Sequence, residues 1–265
     1  MDFLIAAALG VVEGLTEFLP ISSTGHLILV EDYLRLGTDE AFTNAFTVII
    51  QLPAILAVVL FFWKQMWPFQ GARTVGIFRL WVLTAIAFLP AAVLGLAFDD
   101  TIDAYLLKPF PVAVALLVGG VILILLERRR VEPRIVDLHQ LAWPLALGVG
   151  CFQCLALLPG TSRSAATIIG GMLLGLSRPA AAEFSFFLAL PTMLGATTLK
   201  LLKNGLHFTP HQWVLLGIGS VVSFAVAYGV VAFFMGYVRR HTFIPFGIYR
   251  IVLGIIVLAS LALGG

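Results

Sequence analysis

The chain has 265 residues, 60% hydrophobic and 11% charged, with a net charge of +2 and a mean hydropathy of +1.04. A soluble domain carries about 25% charged residues, so a soluble globule of this size is excluded, and the small net charge with no broad basic face argues against nucleic acid as a partner. The length suffices for several spans of about 20 residues each, and the expected fold class is an all-α polytopic membrane protein, a single integral membrane domain over residues 1–265.

At the N-terminus Asp2 stands where a cleavable signal has its basic region, and Glu13 and Glu17 interrupt the apolar run. The first segment is therefore expected to stay in the mature protein. Residues 3–36 are apolar but broken at Pro20-Ile21-Ser22-Ser23-Thr24-Gly25. Proline ends a helix, and the small polar residues permit a turn and cap the next one, so the segment reads as a re-entrant helical hairpin. Apolar runs at about 41–63, 77–98 and 110–126 look able to span. Residues 141–177 repeat the broken pattern at Pro159-Gly160-Thr161-Ser162-Arg163-Ser164, and three more spans follow at about 181–202, 212–236 and 244–263. Broken backbone is tolerated at membrane depth only where protein or a wet cavity satisfies it. Cys151 and Cys154 lack a second pair for a zinc site and read as small apolar packing. Gly171 and Gly175 form a GxxxG, read as a helix contact. Glu183 and Arg250, inside span ends, are expected to pair with each other or, for Arg250, to snorkel. Trp63, Trp67, Trp143 and tyrosines near span ends read as interface anchors.

The chain reads as two copies, about 1–127 and 141–265. Pro20 and Ser23 match Pro159 and Ser162, Pro53 matches Pro191, and Pro111 and Gly120 match Pro245 and Gly254. One hairpin plus three spans per copy makes the second copy inverted, the plan that places a site between repeats at the midplane. One set of loops holds Lys64, Arg73, Arg79, Arg128, Arg129, Arg130, Arg134, Arg178, Arg239 and Arg240. The opposite set holds Arg35, Lys108, Lys200 and Lys203, with Asp99, Asp100 and Asp103. The first set is expected to be cytoplasmic, with both termini outside and the hairpin tips meeting at mid-depth.

The hairpins carry the chemistry. Glu13 and Glu17 share a helical face. Side by side in a low dielectric they repel unless a cation intervenes, so they either hold Mg²⁺ or Ca²⁺ with an anionic substrate or supply a general base. The bland alternative is hydrogen bonding to hairpin backbone. Ser22, Ser23 and Thr24 open the next helix; one hydroxyl suffices as a cap, and the helix N-terminus suits phosphate. His26, a turn after Ser23, suggests a nucleophile and its base, against a buried structural histidine. Arg163 suits phosphate recognition, with Ser162, Ser164 and Thr167 as further donors; the alternative is an ion pair with Glu13 or Glu17. Acids, hydroxyls, a histidine and an arginine at two helix N-termini suit phosphoryl transfer on a lipid phosphate or diphosphate.

The phrases EGLTEFLPISSTGH, GCFQCLALLPGTSRSAAT, AEFSFFLALPTMLGATTL and FIPFGIYR resemble the bacterial undecaprenyl-diphosphate phosphatases, the bacitracin-resistance family, nearly end to end. The resemblance implies a multi-pass enzyme of the bacterial inner (plasma) membrane, its site open to the periplasm. It would convert undecaprenyl diphosphate to undecaprenyl phosphate, the carrier for peptidoglycan and other envelope glycans. Bacitracin would compete for that substrate. By motif match it implies Glu17, Ser23, His26 and Arg163 as the catalytic core. Ser22, Thr24, Gly160, Ser162, Ser164 and Thr167 would bind substrate, and Glu13 with Glu17 a divalent cation, Mg²⁺ or Ca²⁺. Ala165 stands where many members have glycine, and Pro53 where some do. The rival class is a transporter or flippase of the carrier lipid, which uses the same repeat plan; a structural subunit is disfavoured by intramembrane charges at both tips. The oligomeric state is left open between monomer and homodimer.

Overall fold

The computed structural model describes residues 1–31, 34, 36–37, 40–69, 74–106, 108–129, 132–204 and 208–263. Of the cations that set the orientation, Arg35, Arg73 and Arg130 lie outside these residues, as do the side chains of Asp99, Asp100, Asp103, Lys200 and Lys203. The elements are α1 (Asp2–Thr16), α2 (Ser23–Glu31), α3 (Glu40–Ile49), α4 (Gln51–Phe61), α5 (Trp63–Met66), α6 (Thr74–Tyr105), α7 (Pro109–Arg128), α8 (Trp143–Gln153), α9 (Arg163–Leu173), α10 (Arg178–Asn204), α11 (Pro210–Val238) and α12 (Ile244–Ala262). No strand occurs among the described residues, only an isolated bridge between Ile135 and Leu176. Among the described residues five helices are long and apolar enough to cross a membrane: Thr74–Phe98, Pro109–Arg128, Arg178–Leu199, Pro210–Val238 and Ile244–Ala262.

The run at 41–63 contains an apolar helix at Ala45–Phe61, shorter than the five long ones. One turn residue, Ile50, separates α3 from α4 with φ −68° and ψ −11° still helical, where Pro53 has no N–H to return to the carbonyl of Ile49. The Ser223 hydroxyl, 3.0 Å away, donates to the Ile50 carbonyl at this turn. Pro90 and Pro191 lie inside helices that continue past them. Helix starts follow their sequence: Thr209 and Gln212 form a capping box on α11, and α7, α8 and α12 carry proline in their first turn.

Helices pair chiefly across the middle of the chain: α7 packs on α12, α1 and α4 on α11, and α6 on α8. The α10 helix is central, with 67% of its most apolar stretch buried, and packs on α9, α6 and α4. Glycine permits the closest approaches: a Cβ on Gly120 would lie 2.6 Å from the Gly247 carbonyl, and one on Gly14 2.7 Å from that of Ser223. The GxxxG reading needs revision. Gly171 does lie against Ala181, but Gly175, at φ +98°, ends α9, and the Leu176 N–H closes onto the Gly171 carbonyl. Cys151 and Cys154 are free thiols.

At one end of the bundle the Glu127 side chain is fully buried and accepts from Arg178 Nε at 2.8 Å, from Arg178 Nη2 at 2.5 Å and from the Phe243 N–H at 2.9 Å. This ties α7 to the starts of α10 and α12. Glu127→Ala is expected to cost about 2–3 kcal/mol, below the usual toll for a buried pair because the Arg178 side chain is 39% exposed. Chemical denaturation in detergent reads it.

Candidate functional site

The two Pro and small-polar breaks fold alike and meet. Ser22 and Ser162 are the only described non-glycine residues with positive φ, at 72° and 70°. Each caps the helix that follows, with Oγ accepting from the N–H of Gly25 or Ala165 at 3.3 Å. The geometric counterpart of Ser162 is thus Ser22, one residue before the Ser23 that sequence matching selects. Ser23 then falls opposite Arg163, and Glu13 opposite Gln153. The Ser164 hydroxyl donates to the Leu19 carbonyl at 2.7 Å, joining one break to the other.

Between the breaks lies a cleft of about 460 Å³. Its polar lining includes Glu17, Ser22, Ser23, Thr24, Ser162 and Arg163, with Gly160, and its apolar wall comes from α6 and α10, including Phe88, Ala92 and Ala196. Glu17 is the hub. Its Oε2 accepts from Ser23 Oγ at 2.8 Å, and its Oε1 from Arg163 Nη2 at 3.0 Å. Both side chains of this ion pair are only about a tenth exposed, 9% for Arg163 and 11% for Glu17. Arg163 Nη1 donates to the Ser185 carbonyl at 3.1 Å, and its guanidinium carbon stands 5.8 Å above the Phe18 ring. Arg163 Nε is buried and has no partner among the described residues. Of the two ion-pair partners considered for Arg163, Glu17 is the one observed.

Other expected site residues are placed elsewhere. His26 is not aimed at Ser23. Its Nδ1–H donates to the Ser22 carbonyl at 2.7 Å, which leaves Nε2 to accept the Tyr249 hydroxyl at 2.6 Å, and the two rings stack. Ser164 and Thr167 are fully buried and do not line the cleft, although Ser164 Oγ lies 3.0 Å from Oγ of Ser162, which does. Ser164 holds Leu19, and Thr167 lies 2.7 Å from the Ser185 hydroxyl; both brace α9 and do not line the substrate space. Gly160, at φ +90°, lets its break approach α7, where a Cβ would lie 2.5 Å from the Val112 carbonyl. Arg250 neither pairs with Glu183 nor snorkels; it is buried and donates to four backbone carbonyls.

Glu13 is fully buried, and neither carboxylate oxygen has a partner among the described residues. An orphaned carboxylate one helical turn from Glu17 fits a hard cation, which takes oxygen ligands. No group of three or more His, Cys, Asp or Glu converges among the described residues, so water and substrate oxygens would complete any such site.

Sequence reasoning missed Gln51, Gln153 and Thr192, which also line the cleft, and Tyr249 and Ser185. The signal for the glutamines was present: each is an uncharged polar residue in an apolar run, a few residues before Pro53 or Pro159.

The family model described as bacitracin resistance protein BacA matches residues 6–256. Undecaprenyl-diphosphatase 1 of Clostridioides difficile (strain 630) is 51% identical over 263 residues, covering 98% of this chain and 96% of that protein. The undecaprenyl-diphosphatase of Enterococcus faecalis is 48% identical over 271 residues, covering 99% and 98%. That of Fusobacterium nucleatum subsp. nucleatum is 50% identical over 265 residues, covering 96% and 98%.

Proposed function

The chain belongs to the bacitracin resistance protein BacA family, and from that membership we infer that it removes the terminal phosphate of undecaprenyl diphosphate. It is a membrane hydrolase acting on a phosphoric anhydride, and its product is the lipid carrier for peptidoglycan and other envelope glycans. Bacitracin competes for the diphosphate, so higher phosphatase activity gives resistance. The observation that carries the chemistry is the chain of contacts from Ser23 through Glu17 to Arg163 at the cleft.

Ser23 Oγ attacks the terminal phosphorus as its proton passes to Glu17 Oε2. The bond from phosphorus to the bridging oxygen breaks, and Glu17 returns the proton to the departing undecaprenyl phosphate. Water then attacks the phosphoserine as Glu17 accepts its proton, the bond from phosphorus to Ser23 Oγ breaks, Glu17 returns the proton to that oxygen, and inorganic phosphate leaves. Arg163, which lines the cleft, holds the charge on the transferred group. The N-terminal N–H groups of α2 and α9, with Thr24 and Ser162, orient the diphosphate. His26, held by Tyr249, sets the first turn of α2 and takes no proton from Ser23.

Glu13, with Glu17 beside it, would hold Mg²⁺ or Ca²⁺. Such an ion supplies neutralisation of diphosphate charge when bound.

The two breaks are re-entrant hairpins of inverted copies, with the Lys- and Arg-rich loops cytoplasmic and the cleft open to the periplasm. The shared φ and capping of Ser22 and Ser162 support the copies, and the charge bias supports the orientation.

The test is phosphate release from detergent-solubilised protein given undecaprenyl diphosphate. Detergent removes the two compartments a transporter needs. The expected result is multiple turnover, lost on chelation and restored by Mg²⁺ or Ca²⁺; binding without release would favour a carrier.

A further inference from the structure

Arg250 is 0% exposed and lies in the first half of α12. Among the described residues its guanidinium hydrogen-bonds to backbone carbonyls alone: Nη1 donates to that of Pro20 at 3.3 Å, Nη2 to those of Ala115 and Gly160 at 3.1 Å each, and Nε to that of Leu116 at 3.4 Å. Two of these four acceptors are equivalent. Pro20 and Gly160 each stand two residues before a positive-φ serine, Ser22 in one break and Ser162 in the other. A single planar cation thus grips the same carbonyl of both turns and fixes them to α7.

The space around it is shaped for this. A Cβ on Gly119 would lie 2.3 Å from Arg250 Nη2, so α7 admits the guanidinium only because that residue has no side chain. Burying a cation without an acid is costly, and an apolar side chain of similar volume would fill the same space at less cost. Packing therefore does not account for Arg250. A planar fork with donors in several directions does.

We propose that Arg250 is a positioning residue for the phosphatase reaction: by holding the Pro20 and Gly160 carbonyls together it sets the register of the two serine turns, and with it the approach of Ser23 and Glu17 to Arg163. This rests on the reaction inferred above. The guanidinium faces backbone, so its effect falls on the geometry of the reacting groups and not on substrate affinity. A shift of about 1 Å in such a geometry lowers turnover by about 100-fold.

Two variants test this in the purified full-length protein, by phosphate release and by amide hydrogen exchange. Arg250→Lys keeps the charge but cannot reach carbonyls on both turns. Gly119→Ala keeps the arginine and displaces its guanidinium. The expected result for Arg250→Lys is a kcat lower by about 100-fold with KM within about threefold, and for Gly119→Ala a smaller fall of the same kind. In both, exchange should quicken at residues 17–25 and 157–165 while α11 keeps its protection. Wild-type kcat, a rise in KM alone, or faster exchange spread evenly over the bundle would each overturn the proposal. Absence of phosphate release from the wild-type chain would overturn the inferred reaction instead, and the exchange comparison would still decide whether Arg250 clamps the turns.

Discussion

Ser23→Ala lowers phosphate release by about 10⁴-fold or more, the scale of losing a covalent nucleophile, and leaves the protein folded. The second half of that expectation comes from the division of labour between adjacent serines. Ser22 caps α2, so Ser23 is not needed to start the helix. What Ser23→Ala removes is the hydrogen bond to Glu17 Oε2 at 2.8 Å, worth about 1.5–3 kcal/mol with a charged acceptor. Turnover and thermal stability therefore separate widely at this position. Steady-state phosphate release with a melting curve measures both, and mass spectrometry of acid-quenched wild-type enzyme should find phosphate on the peptide carrying Ser23. Near-wild-type turnover in Ser23→Ala would move the attack to water, with Glu17 as its base.

Arg163→Ala differs in that activity and stability fall together. Removing the guanidinium takes from Glu17 its ion-pair partner, strips the donor from the Ser185 carbonyl, and empties the space over Phe18. Breaking a buried pair from one side costs about 3–5 kcal/mol. Loss of the group that holds transition-state charge lowers kcat by about 10²–10³-fold. Arg163→Lys separates the two effects. A lysine ammonium can pair with Glu17 and recover much of the stability, but it has no fork to span Glu17, Ser185 and a phosphate at once, so turnover stays low. Full activity in Arg163→Ala at unchanged stability would remove Arg163 from the site.

Much of this site was legible in the sequence because its residues are expensive where they stand. Glu13, Glu17 and Arg163 in apolar sequence announce themselves, and proline followed by small polar residues marks a break on chemical grounds. The register between the two breaks was not legible. Pro20 and Pro159 look equivalent in a string of letters, but the backbone is organised by distance to the capping serine, and that distance is one residue longer from Pro159. The division of His26 from Ser23 was also hidden. Helical spacing brought them near one another, and only the fold supplied Tyr249 as a competing partner from a helix at the far end of the chain. The same holds for Ser185: a serine in a mid-chain apolar helix carries no sign that a guanidinium will reach its carbonyl. The run at 41–63 was long and apolar enough to span, and hydropathy says nothing of the hydrogen bond that Pro53 cannot make.

The pairing of helices across the middle of the chain bears on how the protein is made. The α1 and α4 helices lean on α11, α6 on α8, and α7 on α12, so the larger contacts of the first half wait on the second. In the two-step order typical of helical membrane proteins, helices form in the bilayer before they dock. During that interval Glu17 stands in the membrane without Arg163, and Pro20 without Arg250. Arg250 lies on α12, 230 residues after Pro20, so this contact of the first break waits on a segment made long after it.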